Sequence, residues 1–143
     1  MFEEYDLETL KKHYDKNGWV ILKKLIDFKE IEQIKLIIEK FIKKQIEDST
    51  NSRAINFIGK TQDLKNLNSF HELGRSEEIK KLGNRKKITD IVQYFLNSKP
   101  EYRYSEFFAK PAKNGLSSPD HQDNYYWAVE GSNALTVWIA LDK

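Results

Sequence analysis

Cysteine is absent from the 143 residues. Disulfides and thiolate chemistry are thereby excluded, and any metal ion would have to be held by nitrogen and oxygen ligands. Also missing is any apolar run near the roughly 20 residues that a membrane-crossing helix needs. The opening MFEEYDLETL is acidic and lacks the basic-then-apolar layout of a secretory signal. The expected location is therefore cytoplasmic. A large excess of one charge is lacking as well: 24 Lys and Arg face 22 Asp and Glu, a net +2. The basic runs Lys80-Lys81 and Arg85-Lys86-Lys87 sit among acids, without aromatics spaced to stack bases, and read as solvated helix faces. Neither a nucleic-acid nor a membrane partner is expected. With 39% apolar residues, the chain is long enough for one domain with its own core and no covalent staples.

What is present falls into two halves. In the first, Asp6 is placed to cap a helix carrying Leu7, Leu10 and Tyr14 on one face, which Asn17-Gly18 should stop. WVILKKL (Trp19 to Leu25) has the bulky, β-branched character of a short strand. Asp27 followed by Glu30 resembles a capping box opening a long helix with Ile31, Ile34, Ile38 and Phe41 at helical spacing. That helix should fade in the polar EDSTNSR. AINFIG is a candidate strand, and the stretch from Thr61 to Asn84 mixes short helical pieces with turns. A clearer helix runs from Lys86 to Leu96, with Ile88, Ile91, Val92 and Phe95 on one side and Pro100 beyond its end. In the second half YRYSEFFAKPA, HQDNYYWAV and ALTVWIALD read as strands, separated by the loop KNGLSSPD and the turn EGSN. Helices followed by antiparallel-type strands predict an α+β arrangement.

Histidine is scarce, at three residues, and one of them stands in SSPDHQDNYYWAVEG. In a strand, residues two apart point the same way. His121 and Asp123 would then present an imidazole and a carboxylate together, and Tyr125, next in the alternation, would line the same pocket. That pair is part of the donor set of non-haem iron(II) oxygenases, in which two histidines and one carboxylate occupy one face of the ion and leave open positions opposite. His-x-Asp alone also occurs as an ordinary hydrogen-bonded surface pair. His13 reads as a surface residue of the first helix and His71 as a loop or helix-end residue.

FFAKPAKNGLSSPDHQDNYYW followed by ALTVWIALDK resembles the phytanoyl-CoA dioxygenase family of iron(II)- and 2-oxoglutarate-dependent oxygenases, with its lysine-proline strand, His-Gln-Asp motif and tryptophan-bearing strand. LKKHYDKNGWVILKKLID and INFIGKTQDL are similar to earlier parts of the family pattern, so the likeness extends from about residue 7 to 143. The resemblance implies a double-stranded β-helix supported by N-terminal helices, Fe(II) as metal and 2-oxoglutarate as cosubstrate. It matches His121 and Asp123 to two iron ligands. It matches Lys60 to a position that contacts the 2-oxoglutarate carboxylate, against the alternative of an ordinary surface lysine. Trp138 matches a tryptophan near the cosubstrate, against the alternative of barrel packing. If ALTVWIALD is a regular strand, Thr136, Trp138 and Ala140 share one face and Leu135, Val137, Ile139 and Leu141 the other, and either face could be inward. The carboxylate of Asp123 implies hydroxylation rather than halogenation, and the implied substrate is a small organic molecule.

The family's second histidine ligand and its 2-oxoglutarate-gripping arginine come later than residue 143. The expectation is thus a single partial dioxygenase domain over 1–143. Residues 1–97 would be mainly helical support with short strands, and residues 98–143 the first strands of an incomplete barrel. Exposed strand edges would favour homo-oligomers. The alternative is a non-catalytic, truncated or degenerate module acting in binding or assembly.

Overall fold

The computed structural model describes residues 5–48, 54–61, 63–111, 115–131 and 134–142. The expected polar loop therefore lies mainly outside the described residues, as do parts of the KNGLSSPD loop and the EGSN turn.

Helix α1 (Leu7–Asn17) starts where Asp6 accepts a hydrogen bond from the Thr9 amide at 3.1 Å. It ends at Gly18, whose φ of +77° is the left-handed conformation that glycine adopts without a side-chain clash. Helix α2 (Phe28–Glu47) begins at Asp27, which accepts from the Glu30 amide at 2.8 Å. The Glu30 carboxylate pairs with Arg85 at the start of helix α4 (Lys86–Leu96) instead of completing a capping box. The short helix α3 (Glu77–Gly83) is capped by Ser76. Of the faces expected from the sequence, Ile34 and Ile38 of α2 and Ile88, Ile91 and Phe95 of α4 are buried, Ile31, Phe41 and Val92 are half-buried, and Ile42 joins the buried set. Phe95 meets Tyr14 of α1 edge-on at 5.2 Å.

The sheet is small and antiparallel, in the order β1 (Ile55–Phe57), β2 (Leu67–Phe70), β3 (Phe107–Phe108). Ile55 faces Phe70 and Asn56 faces Ser69, and an irregularity follows before Phe57 faces Leu67. On the other side Phe70 faces Phe107 and Ser69 faces Phe108. Central β2 has Leu67, Ser69 and Phe70 buried, and Phe70 is fully enclosed. Isoleucines of α2, Leu73, Ile79, Leu82 and Ile88 complete one core with these strands. Helices on a small antiparallel sheet agree with the α+β expectation.

Several strand expectations are corrected. Trp19 to Leu25 forms no ladder: Trp19 and Ile21 are exposed, and Lys24 takes a positive φ of 63°. High β propensity without a partner strand does not make a strand. Central β2 lies instead within the stretch read as helical pieces and turns, so the order is not helices first and strands after. YRYSEFFAKPA contributes only Phe107–Phe108 to the sheet. HQDNYYWAV is a turn followed by helix α5 (Asn124–Trp127). Residues 134–142 carry no assigned strand, and their burial alternates only from Trp138 onward, since Val137 is exposed like its neighbours. Ile139 and Leu141 pack against the core while Thr136, Trp138 and Ala140 face outward. Asp142 anchors the segment to α2 through Lys35 at 2.8 Å, a contact that raises the Lys35 pKa.

The helix starts make the fold sensitive to acid. Hydrogen bonds from Thr9, side chain first, hold the Asp6 carboxyl below its ordinary pKa. Those from the Glu78 backbone and then Ser76 do the same for Glu78. A carboxyl depressed in the folded state stabilises it at pH above its unfolded value, about 4, and that contribution disappears as pH falls through the folded value. The double variant Asp6→Asn, Glu78→Gln should lose less helical circular dichroism between pH 5 and 2 than the parent chain. Superimposable acid limbs would contradict the assignment.

Candidate metal centre

His121 and Asp123 are brought together, though not by strand alternation. The chain turns at Asp123, which has helical φ and ψ of −55° and −35°, and enters α5. Asn124 closes this turn on itself: its side-chain amide donates to the Val129 carbonyl at 2.8 Å and its oxygen accepts from the Val129 amide at 2.9 Å. Such local side-chain bonds to the backbone compete with strand ladders. Ala128 ends the helix in the left-handed conformation, at a φ of 51°. Within the turn His121 Nε2 lies 3.3 Å from Asp123 Oδ1, with both side chains partly exposed.

The outer atoms of the pair are spoken for. His121 Nδ1 lies 2.8 Å from the Pro119 carbonyl. A carbonyl only accepts, so Nδ1 carries a proton, and a neutral ring then presents a lone pair at Nε2. Asp123 Oδ2 accepts from the Thr136 hydroxyl at 2.8 Å. What remains is His121 Nε2 and one carboxylate oxygen converging across 3.3 Å. Two acceptors in that relation repel unless a proton or a cation lies between them. Cis donors about 2.1 Å from a first-row ion are about 3.0 Å apart, so the pair fits one edge of such a site. The bonds from Pro119 and Thr136 are of the outer-shell kind that orient metal ligands. Among the described residues no third His, Asp or Glu joins the two to form a metal-binding group.

The other singled-out residues lie elsewhere. Tyr125 is 85% exposed on α5 and packs edge-on against Tyr126, whose ring in turn meets His121 at 6.3 Å. Trp138 is 74% exposed and stacks on Phe108 at 5.6 Å. Lys60 is exposed in the turn after β1 and makes no hydrogen bond or ion pair to His121 or Asp123. His71 follows β2 with both nitrogens engaged, Nε2 with Ser69 Oγ at 3.0 Å and Nδ1 with Glu106 at 3.1 Å. It could reach a metal only by giving up one of these bonds. His13 is less superficial than expected. Its ring lies against Trp19 at 4.6 Å, and Nε2 is buried without a hydrogen-bond partner.

Tyr104 and Trp127 also adjoin the pair, and neither carries a motif that would reveal them. Trp127 donates its indole N–H to the Tyr104 hydroxyl. Burial pushes the Tyr104 phenol above its ordinary pKa; the Trp127 bond opposes this, and the Glu106 and Asp123 carboxylates add to it. Tyr104 therefore remains a neutral hydrogen-bond donor at neutral pH.

No curated protein and no solved structure matches the chain. No helix among the described residues is long and apolar enough to cross a membrane. Comparison with family models matches residues 14–143 to phytanoyl-CoA dioxygenase (PhyH), and this match covers most of the chain. The family points in general to Fe(II)- and 2-oxoglutarate-dependent oxygenase chemistry. The chain belongs to the phytanoyl-CoA dioxygenase family.

Proposed function

We propose that the chain carries part of the site of an Fe(II)- and 2-oxoglutarate-dependent dioxygenase that hydroxylates a small organic substrate, with His121 and Asp123 as two iron ligands. The observation that carries this reading is the convergence of His121 Nε2 and Asp123 Oδ1 across 3.3 Å, each side chain held from behind by Pro119 or Thr136. Family membership favours a metal ion over a shared proton as the positive species between them. The chemistry that iron(II) and 2-oxoglutarate supply when bound is R–H + O2 + 2-oxoglutarate → R–OH + succinate + CO2.

The chain's own residues would bind and orient. Pro119 and Thr136 hold the two ligands in facing rotamers. Lys60 offers a positive charge to a 2-oxoglutarate carboxylate. Trp138 and Tyr125 offer exposed aromatic faces that would cover the reacting molecules and exclude water. The fold proposed for the family domain is the double-stranded β-helix, with residues 98–143 supplying its first strands and 1–97 the supporting helices. The exposed Val137 and Trp138 of the 134–142 segment support association with a second copy, and the proposed location is the cytoplasm.

Asp123→Ala tests the assignment. In a form that contains the whole family domain and turns over, succinate formation that depends on iron(II) and 2-oxoglutarate should disappear in the variant, and unchanged turnover would overturn the role of Asp123.

A further inference from the structure

Helix α5 cannot hold its own shape. It has four residues, and one isolated turn fixes more backbone than its hydrogen bonds repay. Asn124, Tyr125 and Tyr126 are exposed, and only Trp127 is half-buried. The turn matters because Asp123 opens it. The Asp123 carbonyl accepts from the Tyr126 amide at 2.9 Å and from the Trp127 amide at 3.3 Å. The backbone that carries the Asp123 carboxylate is therefore bonded to the backbone that carries Trp127.

Trp127 is fastened in turn to Tyr104. Its indole N–H donates to the Tyr104 oxygen, and the two rings meet edge-on at 6.3 Å. A half-buried indole N–H needs such an acceptor. The Asp123 side chain is held from another direction, by the Thr136 hydroxyl on Oδ2 at 2.8 Å. Thr136 thus acts on the carboxylate itself, and Tyr104 on the turn that carries it.

Tyr104 has a firm mount. The carbonyl of its neighbour Ser105 accepts from the Gly74 amide at 3.1 Å, and Tyr102 donates its hydroxyl proton to Ser105 Oγ at 2.8 Å. A Cβ at Gly74 would lie 3.1 Å from the Ser105 nitrogen and 3.6 Å from Tyr104 Cα, and one at Gly83 would lie 2.5 Å from the Tyr102 ring. Residues 102–105 are therefore packed tightly on the Leu73–Arg75 turn and on α3. Leu73, Ile79 and Leu82 root those two elements in the core. Bonds and close packing thus run without a break from the core through Tyr102, Ser105 and Tyr104 to Trp127 and Asp123.

We propose that Tyr104 is a positioning residue for Asp123: by accepting the Trp127 indole N–H it pins the one-turn helix, and with it the direction in which the Asp123 carboxylate faces His121. The consequence for a bound metal rests on the proposed function; the hold on the turn does not.

Tyr104→Phe keeps the ring and removes the acceptor. In nuclear magnetic resonance of the ¹⁵N-labelled chain without metal, it should shift the Trp127 indole N–H signal. It should also speed the exchange of the Tyr126 and Trp127 amides with water by about three- to tenfold, the equivalent of one hydrogen bond, while the amides of α2 and α4 keep their rates. In a Trp127→Phe background no indole N–H remains, so the same change should have no further effect. Unchanged exchange at Tyr126 and Trp127, an equal effect in the Trp127→Phe background, or acceleration spread through α2 and α4 would each overturn the proposal. Mn²⁺ added to the same samples reads the consequence for the ligand. Its affinity at His121, followed by signal broadening, should fall about three- to tenfold in Tyr104→Phe, and equal affinities would overturn the positioning of Asp123. No broadening at His121 in the parent chain would refute the metal reading alone, with the exchange rates still deciding whether Tyr104 holds the turn.

Discussion

With His121 and Asp123 holding a metal ion as proposed, Asp123→Ala should lower divalent-metal affinity at the His121 turn by more than about 100-fold, whereas Thr136→Val should lower it by about 10- to 100-fold. The larger figure follows from losing a charged donor. A neutral imidazole alone cannot hold a hard divalent ion against water, and Asp123 supplies the only carboxylate oxygen facing His121 Nε2 among the described residues. The smaller figure is the usual effect of an outer-shell partner on a ligand that stays in place. Thr136→Val removes the hydroxyl that holds Oδ2 at 2.8 Å and keeps the β-branched shape. Asp123→Asn should fall between, since an amide oxygen can still coordinate but without the charge. Asp123 is partly exposed and in a turn, so these changes act on the site and leave the core intact. Competition of each variant with a fluorescent chelator for Mn²⁺ would measure the series. Equal affinities across it would show that the carboxylate takes no part.

Phe70→Ala is expected to cost about 3–5 kcal/mol of folding stability, a large fraction of the 5–15 kcal/mol typical of a domain. Phe70 is 0% exposed at the centre of the sheet, opposite Ile55 on one side and Phe107 on the other, with Phe41 of α2 edge-on at 5.9 Å. Phe70→Leu should cost less because it leaves a smaller void. Urea unfolding gives the measurement, and a loss for the alanine variant below about 1 kcal/mol would contradict the placement of the core. The change also bears on β3 and the chain leading back to Tyr104, because β2 pairs with β3.

The helices were legible because their signals are local. Asp6, Gly18 and Asp27 mark ends through bonds that span only a few residues, and the isoleucines of α2 repeat at the spacing that the core requires. The sheet was less legible because a ladder is made by a distant segment. WVILKKL has better strand chemistry than LNSF, yet LNSF is central because Ile55–Phe57 and Phe107–Phe108 flank it. In the site, the His121-x-Asp123 spacing was visible, but the geometry reached by alternation was not the one found. Asn124 winds the chain into α5 and turns Tyr125 outward, through bonds to Val129 that no periodicity reveals. Thr136, thirteen residues from Asp123, and Tyr104, twenty-three from Trp127, meet the site only through the fold.

These long-range contacts give the account its most direct test. Mn²⁺ titrated into the ¹⁵N-labelled chain broadens signals in proportion to their nearness to the ion. The account predicts selective loss of the His121, Asp123 and Thr136 signals at concentrations that leave His13 and His71 sharp. Broadening centred on His71 and Glu106, or none that distinguishes His121 from the rest of the chain, would contradict it.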